Sequence, residues 1–379
     1  MTHILSTVSF ADRGSIRVVC QRWRKIVAST AFRQARRAIG ETGLVVVGSP
    51  CFLIADGRRV LRGAEIAALP GRLRCAVLGE EIVAVGSAVE GVSTAAGTLI
   101  DEPSQCHMKA LDVSRGTWRN LAAPPVEDGA ATASVENPSF AVVAGRLICA
   151  GGSREGPLPD DLSDRDDAID DYMIHHGPPP SLPCGVYEYD TAADAWRECE
   201  SMTLPVQEAS HAVVGNKLYV IGGLYHDEDI EEEHKWVQIP VVQCFDADTN
   251  TWRVDIREDV APHACAHAAA IEGKIYISGG ISSGRDQRWV LVFDTEDNAC
   301  SAVWPAGEGP ERLWAYPGEF PDNGPPLFQC PSGCLDGRYV SLDRRMVLQR
   351  LEEDGSWTAL AQLPGEFRFP AMASHVPLL

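Results

Sequence analysis

The chain contains no run of about 18 uncharged apolar residues, so no membrane-spanning helix is expected. Its first residues, Met1-Thr2-His3-Ile4-Leu5, carry no acidic or basic side chain apart from a histidine, and Asp12 and Arg13 break the apolar stretch early. No secretory signal is expected from that pattern. Basic residues are scarce: 33 Lys and Arg stand against 53 Asp and Glu, a formal net charge of −20. That balance excludes non-specific binding of the whole chain to nucleic acid or to an anionic membrane. The 12 cysteines lack paired zinc-type spacing, and only Cys330 and Cys334 lie close together. Without a secretory signal they read as reduced, buried thiols of an intracellular protein, cytoplasmic or nuclear, acting as small hydrophobes. There is no Gly-x-Ser-x-Gly elbow, phosphate loop or His-Glu-x-x-His, so neither an enzyme nor a cofactor is expected.

What is present is a 45% hydrophobic chain of 379 residues, enough for a sizeable core, and a repeat runs through it. Lys217-Leu-Tyr-Val-Ile-Gly222-Gly223 matches Lys274-Ile-Tyr-Ile-Ser-Gly279-Gly280, and Arg146-Leu-Ile-Cys-Ala-Gly151-Gly152 matches both. Glu81-Ile-Val-Ala-Val-Gly86-Ser87 and Gly43-Leu-Val-Val-Val-Gly48-Ser49 are weaker copies. Downstream of most doublets lies Asp-x5-Trp, at Asp112/Trp118, Asp190/Trp196 and Asp246/Trp252. Cys300 takes the Trp place after Asp294, and Trp357 stands six residues after Leu351. Runs of four to seven β-favouring residues separated by Gly, Asn, Asp and Pro turns make each unit a set of strands. Val213-Val214, Gly215-Asn216, Lys217 reads as a hairpin with a two-residue turn. Val186–Asp190 and Val242–Asp246 alternate like half-buried strands, and each Asp can bond its own downstream backbone.

Doublet and Asp-x5-Trp together resemble the kelch repeat, over about residues 43–379. The resemblance implies an all-β, six-bladed kelch-type β-propeller occupying residues 41–379. The unit sixth in the count is split: residues 43–68 supply three strands and the C-terminal stretch 367–378 the missing one. Closure of that kind removes open edges. Gly151, Gly152, Gly222, Gly223, Gly279 and Gly280, with Asp112, Trp118, Asp190, Trp196, Asp246 and Trp252, are framework positions of the repeat, each Trp expected to cover the flank of the next blade. Tyr339-Val-Ser341-Leu342 replaces the doublet in the last unit, which blurs its bounds over 305–361.

Residues 1–40 are of another kind: eight basic residues and one acid give +7, leaving −27 for the rest. Ile16, Val19, Cys20, Trp23, Ile26 and Val27 fall at helical spacing. Val19-Cys20-Gln-Arg-Trp23, followed by a basic helical stretch and Phe32, resembles the second half of an F-box, with Ile4 and Leu5 matching the end of that family's first helix. No Leu-Pro segment precedes Ile4, so a truncated F-box, a short α-helical segment ahead of the propeller, is expected. F-box proteins dock on the Skp-type adaptor of a cullin–RING ubiquitin ligase, and a second domain selects the substrate. The resemblance therefore implies a non-catalytic substrate-recognition subunit of an SCF-type E3 ligase, with Ile4, Leu5, Val19, Cys20 and Trp23 on the adaptor, a protein substrate on the propeller, and a monomer apart from that complex. The other readings are a stand-alone kelch scaffold with a vestigial F-box, and a kelch-fold metalloenzyme or small-molecule enzyme.

Two insertions dominate the acidity. Residues 153–183 hold eight acids and two arginines, and residues 224–236 hold six acids and Lys235. Both fall between the second and third strands of their unit, so both should project from one face. Asp160, Asp161, Asp166, Asp167, His175, His176, Asp227, Glu228 and Asp229 are the candidate partner-binding loop residues; the alternative is solvated loops that keep the chain dispersed. The 164–175 stretch is no calcium loop, because Ile169 and His175 stand where Gly and Glu are required. His263-Ala-Cys265-Ala-His267 places three potential ligands at alternate positions. His267, however, aligns with His211 of the preceding unit, which favours a framework role and no metal.

Overall fold

A computed structural model describes residues 42–47, 52–55, 59–62, 72–87, 107–112, 117–125, 137–155, 181–183, 185–226, 236–257, 259–260, 263–282, 285–286, 290–303, 331–342, 346–363 and 371–377. Within those residues every regular element is a strand, and no helix is long and apolar enough to cross a membrane.

Six four-stranded antiparallel sheets stand among the described residues, and each is one blade. Blade two runs Arg72–Leu78, Glu81–Ser87, His107–Asp112 and Thr117–Leu121. Blade three is Ser139–Val143, Arg146–Ala150, Val186–Asp190 and Ala195–Glu198. Blade four is Ser210–Val214, Lys217–Ile221, Val241–Asp246 and Thr251–Ile256. Blade five is His267–Ile271, Lys274–Ser278, Val290–Asp294 and Ala299–Val303, and blade six is Ser332–Leu335, Arg338–Leu342, Val347–Leu351 and Trp357–Gln362. Blade one takes Thr42–Val47, Phe52–Ala55 and Arg59–Arg62 from one end of the sequence and Ala371–Pro377 from the other. The last strand pairs antiparallel with the first, Val46 opposite Met372 and Val47 opposite Ala371. In every other blade the first strand in sequence is innermost; in blade one the last strand takes that place. The six inner strands touch in sequence order, and Ala371–Pro377 touches both Arg72–Leu78 and Ser332–Leu335, so the ring is closed.

The expectation of half-buried third strands fails for a physical reason. Val186, Tyr187, Glu188 and Tyr189 are all buried, because a blade stacked between two others has no solvent face. Separate cores fill the junctions. Phe140 and Leu147 of blade three pack on Val83 and Met108 of blade two, and Leu218 and Phe245 of blade four pack on Ile148 and Val186 of blade three. Ile221 and Val242 meet Ile275 and Phe293 between blades four and five, Tyr339 meets Val290 between five and six, and Leu44 and Val46 meet Val340 and Leu348 at the closure. Glu188, 7% exposed, is tolerated inside because Arg146 and Arg197 both bond its carboxylate. Burial pushes that carboxyl up, but the two guanidinium bonds outweigh it and hold it below the ordinary value.

Candidate partner-binding face

The repeat positions show how local sequence builds one rim. Register pairing sets Trp118, Trp196, Trp252, Cys300 and Trp357 opposite Leu111, Tyr189, Phe245, Phe293 and Leu351. Each pair brackets the turn between third and fourth strands. Asp190 accepts from the Ala192 and Ala193 amides at 2.8 and 3.2 Å, and Asp246 accepts from Asp248 and Thr249 at 3.0 and 3.4 Å. Asp294 does the same for Glu296 and Asp297, and Lys274 Nζ lies 3.0 Å from it. This rim also holds the turns between first and second strands, since Ala247 N–H donates to Asn216 O at 3.0 Å. It is called the turn rim below.

One expectation about the Trp is corrected. Trp196 Nε1–H donates to Ala122 O at 2.9 Å and Trp252 Nε1–H to Glu200 O at 3.0 Å. Both carbonyls lie in the segment leaving the preceding blade, not the next one. Trp196 and Trp252 reach back because the chain has just passed there, and the indole N–H needs an acceptor when half-buried; the Trp118 indole N–H is buried with no hydrogen-bond partner among the described residues.

The opposite, entry rim is where the candidate loops attach. Of the candidate residues, Asp160, Asp161, Asp166, Asp167, His175, His176, Asp227, Glu228 and Asp229 lie outside the described residues, as do Ile4, Leu5, Val19, Cys20 and Trp23. The stems of both insertions are described. Ser153–Glu155 pairs with Ser181–Pro183 in blade three. In blade four Leu224–His226 pairs with Trp236–Gln238 and also with Val206–Gln207, the segment entering that blade. Blade five has a smaller version, Ile281–Ser282 with Arg285–Asp286. These stems are laced across blade junctions: Ser153 Oγ bonds Gln207 Oε1, and Gln238 Nε2–H donates to Ile281 O at 3.1 Å. His226 and Trp236 meet edge-on at 5.1 Å and 65°, at the foot of the 227–235 insertion. Tyr225, His226, Trp236 and Val237 are all half-buried there, a surface of amphipathic side chains of the kind enriched in protein interfaces.

The glycine doublets dock this rim together. Gly152 N–H donates to Val206 O at 2.9 Å and Gly223 N–H to His263 O at 2.7 Å, each acceptor being in the segment entering the next blade. A Cβ on Gly151 would run into the Val206 carbonyl oxygen, and one on Gly223 would lie 2.8 Å from Gln207 O; both glycines have positive φ, +64° and +100°. Sequence reasoning missed the residues that continue this lacing. Asn137, Glu208 and Cys265 stand two residues before the inner strands of blades three, four and five, all at φ between 50° and 60°. Glu208 N–H donates to Asn137 O at 3.2 Å and Cys265 N–H to Glu208 O at 2.8 Å. No residue type is shared by the three positions, so only their equal offset from the hairpin turn could have flagged them.

The histidine alignment is also corrected. Ile271 pairs with Lys274 as Val214 pairs with Lys217, which makes His267 the counterpart of Ser210; the counterpart of His211 is Ala268. One residue of slip turns a side chain to the other face. Ser210 Oγ bonds His263 Nε2 at 3.2 Å, and the two are 1% and 0% exposed, sealed between blades. His211 Nε2 lies 3.1 Å from Phe140 O of the neighbouring blade. Among the described residues no group of three His, Cys, Asp or Glu is placed to hold a metal ion. The seven described cysteines are unbridged; burial pushes Cys300 up to about 11 and raises Cys244 and Cys334, so these thiols stay protonated near neutrality. Cys75, Cys199, Cys244 and Cys300 are only half-buried, less enclosed than expected.

This geometry is that of a kelch-type propeller. The kelch motif family matches residues 207–254 and 262–303, within blades four and five and their entry segments. The F-box domain family matches residues 1–34. The chain thus combines an F-box with kelch repeats, and its resemblance to F-box/kelch-repeat proteins holds. An F-box/kelch-repeat protein of Arabidopsis thaliana is 29% identical over 123 residues, 29% of this chain and 30% of the relative. Another from the same plant is 34% identical over 90 residues, 24% of this chain and 19% of the relative. Kelch-like protein 15 of Danio rerio is 29% identical over 117 residues, 29% of this chain and 16% of the relative. The matched stretch thus spans under a third of each of these relatives.

Proposed function

We propose that this protein is the substrate-recognition subunit of an SCF-type cullin–RING ubiquitin ligase. An F-box and kelch repeats on one chain make a recognition or interaction module, and that pairing is the observation that carries the reading. Residues 1–40 form the adaptor-binding unit, with Ile4, Leu5, Val19, Cys20 and Trp23 against a Skp-type adaptor. Residues 41–379 form the propeller, whose entry rim holds a protein substrate. The chain performs no chemistry itself; it acts in the cytoplasm or nucleus as a monomer bound to its adaptor. Placement of the partner on the entry rim is supported by the paired stems at which both insertions join that rim; Asp160, Asp161, Asp166, Asp167, His175, His176, Asp227, Glu228 and Asp229 are its proposed contacts. A basic substrate segment suits their charge.

The test is co-purification of the full chain with a Skp-type adaptor. Wild type should retain the adaptor through gel filtration, and Trp23→Ala should weaken the complex at least tenfold, since a buried aromatic anchor carries that much binding energy. Absence of a complex, or one indifferent to Trp23→Ala, defeats the ligase reading and leaves an interaction scaffold.

A further inference from the structure

Each blade ends outward on one strand, so every outermost strand has an edge that its own sheet leaves unpaired. Such a row of N–H and C=O groups is a template for another strand unless something blunts it. Most of these edges are blunted. Arg59–Arg62 and Ala195–Glu198 are only four residues long, and the first has an arginine at each end. Thr117–Leu121 and Ala299–Val303 leave no large apolar side chain exposed. Along Trp357–Gln362 the pairing register shifts between Leu348 and Gln349, which twists that edge. Thr251–Ile256 of blade four differs: it runs six residues in continuous register. It also carries Val254 and Ile256, 38% and 72% exposed, the two exposed large hydrophobic side chains among the described residues.

One bond fixes which way this backbone faces. Arg257 N–H donates inward to Pro240 O at 2.8 Å, and antiparallel pairing alternates along the chain. Arg253 and Asp255 therefore also bond inward, while Trp252, Val254 and Ile256 turn their N–H and C=O groups to the free edge. Those three side chains share one face, on which Trp252 Nε1–H meets Glu200 O. Arg253 and Asp255 lie on the other face, where Asn298 of blade five donates to Asp255 at 3.5 Å. Arg253 is exposed and makes no ion pair among the described residues. The Asp255 side chain stays 53% exposed beside Arg257, 3.2 Å away.

We infer that this edge pairs with the same edge of a second copy of the chain, antiparallel about a two-fold axis at Val254. The strand itself sets the register. Residues whose backbone faces the edge must meet others of that kind. Centring on Val254 sets Val254 against its own counterpart and Trp252 against Ile256 of the second copy. The same register sets Arg253 opposite Asp255 of the second copy, twice by symmetry. These fall at the non-hydrogen-bonded positions, where facing side chains approach most closely. A strand whose charges are complementary to its own reversed copy meets the self-complementarity of an isologous interface. The two apolar stripes then join as one patch on a single face of the extended sheet. A six-residue strand pair falls short of the ~1,200 Å² of a stable interface. The pairing is therefore weak: the chain stays a single copy when dilute and pairs when copies are concentrated. It needs neither the entry rim nor residues 1–40 and does not rest on the ligase reading.

Sedimentation velocity of the full chain over a rising concentration series, from low to several hundred micromolar, is the test. Wild type should pass from one copy to two. Ile256→Lys, at a side chain too exposed to matter for folding, should remove that transition. Arg253→Asp alone and Asp255→Arg alone each set like charges face to face and should weaken pairing about tenfold or more. An equimolar mixture of these two variants sets opposite charges together at both positions and should recover the two-copy species. If either charge variant fails to fold, Ile256→Lys against wild type decides. A wild type that stays a single copy throughout, or pairing that survives Ile256→Lys, overturns the inference. So do folded charge variants that pair as well as wild type alone, or that fail to recover pairing when mixed.

Discussion

On the turn rim, Asp190, Asp246 and Asp294 each cap their own turn through amides two and three residues on, three times over with one geometry. On the entry rim, the same three blades carry stems of different length, sequence and pairing, joined to neighbours by Gly152 to Val206, Gly223 to His263 and Gln238 to Ile281. The Asp turns of the first rim are each closed within one repeat, while Trp196, Asp194 and Arg146 add bonds from that rim to the neighbouring blade. The second exists only once adjacent blades have docked. A rim stabilised locally repeats faithfully, whereas one stabilised between blades can accept insertions as long as its docking points survive. The large insertions hang from the second kind of rim, outside the doublets that hold the blades together.

The sharpest way to break this contrast is one substitution type on both rims. Gly151→Ala forces a side chain at φ +64° into the Val206 carbonyl of the next blade and should cost about 3 kcal/mol in urea unfolding. Gly215→Ala, at φ +59° on the turn rim with nothing within 4 Å, should cost only about 1 kcal/mol. Equal losses would erase the distinction.

Acid should reveal the inter-blade joints next. His211 titrates near 4 in the fold against 6.5 in the unfolded chain, because burial between blades disfavours its charge. The unfolded chain takes up this proton first as pH drops. The contribution is therefore complete above pH 6.5 and is lost as pH falls toward 4. His211→Gln, whose amide can still donate to Phe140 O, should flatten the stability curve over that window by up to about 3 kcal/mol. An unchanged curve would remove His211 from the joint.

The smallest effect belongs to the turn rim. Asp246→Ala deprives two amides of their acceptor and should cost about 1 kcal/mol. Its ion pair with Lys217, 3.6 Å long and half-exposed, adds little. Chemical unfolding of the single variant measures this directly, and a loss as large as that of Gly151→Ala would contradict local closure.

Much of the ring could be read from the residues because its repeats are local. Asp190/Trp196 and Asp246/Trp252 announce a turn flanked by paired strands, and the pairing of Phe293 with Cys300 shows the pattern surviving loss of the Trp. The split blade was also legible, since 42–62 offers only three strands and 371–377 one. The candidate site was less so. Glu208 and Cys265 share no chemistry, and only their place before an inner strand gives them the same positive φ and the same backbone bond. The mistaken pairing of His267 with His211 has the same origin: identity of residue type outweighed register, and register is fixed by the hairpin turn.

By itself, then, the sequence determined the four-stranded blade, the blade number and the closing strand, because those follow from side-chain periodicity and turn chemistry within about fifty residues; it missed the short stem strands of the insertions. Tertiary structure decided that third strands bury both faces, and which carbonyls Trp196, Trp252 and the glycine doublets meet. Those outcomes depend on six inner strands meeting around an axis, and no local stretch of chain carries that information.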